Sequence, residues 1–137
     1  MVVEPVGADT AASGDVANEM LSRGFLPLYT LHLLAQRPRH GNDLLREIAQ
    51  RTDGTWQPSS SGVYAVLRKL ERNGWITGHW ESGVTRTKRT YSLTAAGGVE
   101  LDARRATVVA DAARVQRAID LVAADLGTEL AGNGDPR

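Results

Sequence analysis

Residues 56–76 read Trp56-Gln-Pro-Ser-Ser-Ser-Gly-Val-Tyr-Ala-Val-Leu-Arg-Lys-Leu-Glu-Arg-Asn-Gly-Trp-Ile76, and this stretch decides the fold. Val63, Val66, Leu67 and Leu70 recur at three- and four-residue spacing, which predicts a helix with one apolar face. A serine of the run Ser59, Ser60, Ser61 supplies its N-cap, and Asn73-Gly74 supplies its stop. With the apolar face turned inward, Tyr64, Arg68 and Arg72 fall at i, i+4 and i+8 on the outer face, flanked by Ala65 and Lys69. The helix therefore presents a basic stripe that carries one aromatic ring.

Working upstream, Leu44, Leu45, Ile48 and Ala49 mark a short helix opened by Gly41 or Asn42 and closed by Thr52-Asp-Gly-Thr. Before it, Arg37-Pro-Arg-His-Gly breaks the chain. An earlier helix at roughly 24–36 carries Phe25, Leu28, Leu31, Leu33 and Leu34, with Pro27 near its first turn. Downstream, Trp75-Ile-Thr-Gly-His-Trp80 and Lys88-Arg-Thr-Tyr-Ser-Leu-Thr94 read as two strands joined by a short connection. Thr94 then caps a long Ala-rich helix reaching about Leu126, with Leu101, Val108, Ala112, Val115, Ile119, Val122 and Leu126 on one stripe.

The expected fold class is thus mainly α with a small β-hairpin: a winged helix-turn-helix followed by a long C-terminal helix. Residues 1–18 are expected to form a disordered acidic tail, 19–94 the winged helix-turn-helix, 95–126 a dimerisation helix and 127–137 a second disordered tail. The stripe from Leu101 to Leu126 is too long to be covered by a domain whose core is already built from three short helices, so a partner surface is the economical explanation. The competing arrangement folds the long helix back on its own chain. Leu101, Val108, Val115, Ile119, Val122 and Leu126 are the dimerisation candidates.

Composition narrows the function. The 137 residues are enough for one domain, and 16 Lys+Arg balance 16 Asp+Glu to a formal net charge of zero. That balance hides an uneven distribution: residues 1–19 carry −4, residues 20–94 carry eleven bases against five acids for +6, and residues 95–137 carry −2. A basic middle between acidic ends suits a phosphate-binding module. Cysteine is absent, which excludes disulfide frameworks, thiolate metal sites and cysteine nucleophiles. His32, His40 and His79 lack metal-ligand spacing, and no Ser-His-Asp pattern or Gly-rich phosphate loop occurs, so neither enzyme activity, metal nor cofactor is expected. No apolar run approaches the roughly 20 residues a bilayer needs, and a cytoplasmic protein without membrane contact is expected.

The DNA-binding candidates are Ser59, Ser60 and Ser61 at the helix N-terminus, Tyr64, Arg68, Lys69 and Arg72 on the outer face, and Arg86, Lys88 and Arg89 on the wing. Each has a plainer reading: a simple cap for the serines, a packing ring for Tyr64, a solvated surface for the bases. Trp56, Trp75 and Trp80 read as core or hairpin packing. A winged helix that meets an acidic protein partner, without specific DNA binding, is the alternative function.

Three segments carry a family resemblance. Leu33-Leu-Ala-Gln-Arg-Pro-Arg-His-Gly-Asn-Asp-Leu44, the stretch from Trp56 to Ile76, and Lys88-Arg-Thr-Tyr-Ser-Leu-Thr-Ala-Ala-Gly97 resemble the PadR-type transcriptional regulators in order and spacing, over about residues 24–105. His40-Gly41 stands for the family's His-Gly, Tyr64 for its recognition-helix tyrosine, and Tyr91 to Thr94 for the strand leading into the last helix. The chain departs from the pattern at Asn42, where the family has an aromatic, at Gly62, where it often has Thr, and at Ala65, where it has Pro. Its operator sequence therefore cannot be borrowed from relatives. The resemblance implies a homodimer, held by the C-terminal helix against helix one of the partner, that binds an inverted-repeat operator in double-stranded DNA. It also implies repression relieved by a small-molecule effector or stress signal.

Overall fold

Two short helices of 11 and 13 residues, marginal alone, bury their apolar faces in one core with a longer first helix, and a small sheet closes the open side. A computed structural model describes the backbone of residues 3–81 and 88–134 and the side chains of residues 16–81 and 88–130. The element order is α1 (Val3–Gln36), β1 (Arg39–His40), α2 (Gly41–Arg51), α3 (Ser60–Arg72), β2 (Ile76–Trp80), β3 (Arg89–Leu93) and α4 (Ala95–Gly134). The chain divides into two compact units, residues 1–101 and 102–137.

The core of the first unit draws on every element except β1. α1 contributes Leu26, Leu31, Leu33 and Leu34, α2 contributes Leu44 and Ile48, and α3 contributes Val63, Leu67 and Leu70. Ile76 of β2, Tyr91 of β3 and Leu101 of α4 complete it together with Trp56. Each fully buried leucine or isoleucine contributes about 1.5–3 kcal/mol relative to exposure. Leu101 is only 3% exposed, so this expected dimerisation residue belongs to the chain's own core. The first turns of α4 therefore fall in the first unit, and the division lies after Leu101 rather than after Thr94.

Helix ends follow local chemistry. α3 opens on Ser59, whose hydroxyl accepts from the Gly62 N–H at 3.0 Å. It closes in a Schellman arrangement, with Gly74 N–H donating to Glu71 O and Trp75 N–H to Leu70 O, both at 3.0 Å. Gly74 takes φ +78°, which only glycine adopts without strain. α2 ends the same way, with Gly54 N–H donating to Ala49 O at 2.7 Å and Asp53 in the left-handed region at φ 51°. Thr94 caps α4 as expected, its hydroxyl accepting from Gly97 N–H at 3.0 Å.

Four features differ from the sequence reading. α1 begins at Val3 rather than near residue 24, so helical backbone covers most of the stretch expected to be a disordered tail. The residues just before 24 have partners on the α2–α3 turn: Ser22 Oγ accepts from Trp56 Nε1 at 3.0 Å, and Asn18 Oδ1 accepts from Gln57 N–H at 2.8 Å. Pro27 consequently lies inside the helix, where it removes one backbone donor, and the buried Leu26, Thr30 and Leu31 around it hold the helix continuous. At the other end α4 runs to Gly134, past the expected limit at Leu126 and into the stretch expected to be a second disordered tail; Gly127 does not stop it, with Leu126 before it and Glu129, Leu130 and Ala131 after it as good helix formers. Finally, the wing is a three-stranded antiparallel sheet in the order β1-β3-β2, with Arg39 opposite Tyr91 and Ile76 opposite Leu93.

The turn from β3 into α4 rests on Gly97. A Cβ there would lie 2.0 Å from the Trp75 carbonyl oxygen, a backbone atom fixed by its bond from Thr94 N–H. The neighbouring Gly98 has only the Leu93 side chain near, at 3.8 Å. Gly97→Ala is expected to cost about 1–3 kcal/mol by overpacking, whereas Gly98→Ala should gain about 0.5–1 kcal/mol from helix propensity. Urea unfolding of the two variants beside the parent chain measures the opposite signs.

Candidate nucleic-acid interface

Because α3 buries Val63, Leu67 and Leu70, its other face has no choice but to look outward. Arg68, Lys69 and Arg72 are exposed there, and their side chains form no hydrogen bond or ion pair with another described residue. Ser60 and Ser61 are exposed at the N-terminus of the helix. Ser59 is also exposed, but its hydroxyl is committed to the cap. Lys88 is exposed just before β3, and the expected wing contact Arg86 lies outside the described residues.

Tyr64 is half-buried and joins α3 to the start of α2. Its ring occupies the space beside Gly41, where a Cβ would overlap the phenol carbons. His40-Gly41 thus works together with Tyr64: the glycine leaves room for the ring, and the ring fixes how α2 and α3 cross. His40 sits between two carboxylates, Nε2 at 2.6 Å from Glu81 and Nδ1 at 3.3 Å from Asp43. The hydrogen bond from His40, followed by one from Thr90, holds the Glu81 carboxyl below its ordinary range. Asp43 in turn accepts from the His40 N–H and pairs with Arg46.

Between α2, α3 and the wing lies a cleft of about 360 Å³. Its walls carry Asn42 and Arg46 from α2, Tyr64 and Arg68 from α3, and Trp80, Lys88 and Arg89 from the wing. Of its four cations, Arg46 is paired with Asp43, which also lines the cleft, and Arg89 with Glu71; Arg68 and Lys88, from two elements, are the cations left to meet a polyanionic backbone. Asn42 and Arg46 are not among the DNA-binding residues expected from the sequence. Their signal was positional: the first helix of a helix-turn-helix crosses the DNA backbone, and these residues occupy its first two turns.

Not every base in the middle of the chain serves the surface. Arg39 is only 3% exposed. Its Nε donates to the Leu33 carbonyl at 3.1 Å and its Nη2 to Gln36 Oε1 at 3.1 Å, closing the last turn of α1. Burial, with the nearby Arg37 charge, lowers its pKa against the pull of Glu47. Arg51 pairs with Glu47 at 2.7 Å. Arg89, expected as a wing contact, is instead half-buried and bonded to both carboxylate oxygens of Glu71, at 3.1 and 2.8 Å. Burial works against the Arg89 charge, but the hydrogen bond and charge of Glu71 outweigh it and raise its pKa. Trp56 is buried as expected, Trp75 is half-buried, and Trp80 is 57% exposed beneath the Arg89 guanidinium.

In the second unit, taken by itself, α4 leaves its apolar stripe in the open. Val115, Ile119, Val122 and Leu126 are 42–62% exposed, and Val108 is half-buried. Among the described residues no helix is long and apolar enough to cross a membrane.

Residues 30–103 match the profile of the transcriptional regulator PadR-like family. An uncharacterised protein of Lysinibacillus sphaericus is 30% identical over 100 residues, covering 72% of this chain and 88% of that one. A transcriptional regulator from Clostridium thermocellum superposes with a TM-score of 0.65 at 19% identity, over 72% of this chain and 96% of the other. Bacillus subtilis PadR in complex with operator DNA superposes with a TM-score of 0.51 at 29% identity, over 56% of this chain and 45% of that chain.

The Gly41–Tyr64 contact is testable in isolation. Gly41→Ala is expected to lower the free energy of unfolding by about 1–3 kcal/mol by overpacking. In a Tyr64→Ala background most of that loss should vanish, because the atoms in conflict are gone. Denaturant titration of the four proteins in the cycle gives the coupling directly.

Proposed function

The chain belongs to the PadR-like family of transcriptional regulators, and we propose that it acts there as a homodimeric repressor of an inverted-repeat operator, released by a small-molecule or stress signal. It is a DNA-binding transcriptional regulator. The observation that carries the finer reading is the exposed basic face of α3, opposite its buried face and without an ion-pair partner among the described residues.

In this reading α3 lies in the major groove. Arg68 projects from its middle, where it reads a base edge, and Ser60 and Ser61 meet the groove at the helix N-terminus. Tyr64, Lys69, Arg72 and Lys88 contact phosphates and fix the register, with Arg46 as a further cation in the same cleft. The wing reaches the adjacent groove or its backbone.

The dimer is proposed on the periodicity of α4. Val108, Val115, Ile119, Val122 and Leu126, with Ala112, alternate at spacings of three and four residues, the seam of a two-stranded coil. Their exposure supports a second copy as the covering surface. A two-fold axis would set the two α3 helices roughly 34 Å apart, one turn of DNA.

Binding to the chain's own upstream region against random duplex, at two salt concentrations, tests the proposal. Selective, salt-sensitive binding by two protomers is expected, and weak, equal binding to both DNAs would favour the protein-interaction module instead. Arg68→Ala should cost roughly 1–3 kcal/mol on the selected site and relax one position. Lys88→Ala should weaken all sequences alike and flatten the salt slope by about one. The double variant Val115→Glu, Ile119→Glu should sediment as a monomer and lose selective binding, and a dimer at micromolar concentration would contradict the α4 seam.

A further inference from the structure

The proposed function leaves Glu71 unexplained: an acid on the helix that faces DNA repels the phosphates it approaches. It also leaves Arg89 unable to serve the DNA, because its guanidinium is already engaged on several sides. Nη1 and Nη2 bond the two Glu71 oxygens at 3.1 and 2.8 Å, and Nη2 also donates to the Gly78 carbonyl at 3.2 Å. The guanidinium carbon stands 5.8 Å from the centre of the Trp80 ring and 5.6 Å from that of Tyr91. Gly78 is part of the same device, since a Cβ there would lie 2.8 Å from the guanidinium.

We propose that Glu71 and Arg89 are positioning residues, a charged strut that fixes the wing at one angle to the recognition helix and so sets how both engage DNA. The inference rests on the DNA-binding reading of the α3 face. Connectivity explains why a strut is needed. α3 passes into β2 through the Gly74 turn, and Ile76 anchors the near end of the hairpin in the core. Beyond Ile76, Thr77, His79 and Trp80 are exposed, so apolar burial no longer holds the strand. Arg89 lies opposite Trp80 in the register, at the far end of the paired strands. β1 pairing and the His40–Glu81 contact tie the wing to the start of α2; the strut is the tie that joins its far end to the last turn of α3, and so the one that sets its angle to the recognition helix. Its fork geometry matters as much as its charge: two parallel bonds to a carboxylate resist rotation, which a lysine ammonium cannot do. The pair is electrically neutral, so it adds nothing to the count of phosphates neutralised.

Two measurements test this, one of them independent of DNA. In the free protein, Glu71→Gln and Arg89→Lys should speed amide hydrogen exchange across Ile76–Trp80 and Arg89–Leu93 while leaving the middle of α3 protected. Unchanged exchange in the hairpin would overturn the strut whatever the DNA result. On DNA, each variant should lower the ratio of selective to random binding roughly tenfold, the loss of one charge-assisted pair. The Glu71→Gln, Arg89→Lys double variant should lose no more than either single one. The slope of affinity against salt should stay at the parent value for Arg89→Ala. A slope flatter by about one would make Arg89 a phosphate contact and overturn the proposal. So would tighter binding of Glu71→Gln to both DNAs with the ratio intact, because that is what releasing a restrained phosphate ligand produces. If the parent chain itself does not discriminate between DNAs, the proposed function fails on that control alone, and hydrogen exchange still decides the strut.

Discussion

The burial of Val63, Leu67 and Leu70 is the constraint on which the rest of the structure depends. A helix of 13 residues is marginal in water, and α3 persists because three of its side chains are removed from solvent against α1 and α2. The same burial fixes the rotation of the helix about its axis. Tyr64 is then set over Gly41, and Arg68, Lys69 and Arg72 face outward. Function at this surface is a by-product of packing at the opposite one, since a rotation that exposed the arginines differently would pull leucine out of the core.

Charge is distributed by the same logic. The middle of the chain carries a net +6, yet two groups among its described bases differ in what they do. Arg39, Arg51 and Arg89 are spent internally, on a helix end, on Glu47 and on Glu71. Arg68, Lys69, Arg72 and Lys88 remain at the surface. The internal group holds the elements at fixed relations, and the external group acts from the platform so formed. A charge count along the sequence cannot separate them, because both groups look identical until their partners are known.

Local features are legible in the sequence alone. The serine cap, the Asn73-Gly74 stop, the turn through Thr52 to Thr55 and the cap at Thr94 all depend on residues within five positions of one another. The faces of α2 and α3 follow from spacing alone. Less legible were β1, two residues long within a segment that reads as a breaker, and the early start of α1, which is held by Asn18 and Ser22 through partners more than thirty positions away. Leu101 departs from its expected place for a related reason. It continues the stripe of α4 in sequence, but it sits where the helix still lies within the first unit, and its neighbours there are remote in sequence.

By itself, then, the sequence determined the winged helix-turn-helix, the identity of the exposed basic face and the long apolar stripe of α4, since periodicity and capping are properties of contiguous residues. Only the tertiary structure decided that Arg89 belongs to Glu71, that Arg39 closes α1, that Arg46 and Asn42 share the cleft with Arg68, and that Leu101 is core. Each of these depends on which side chain meets which across long sequence separations, and that is settled by the packing of whole elements.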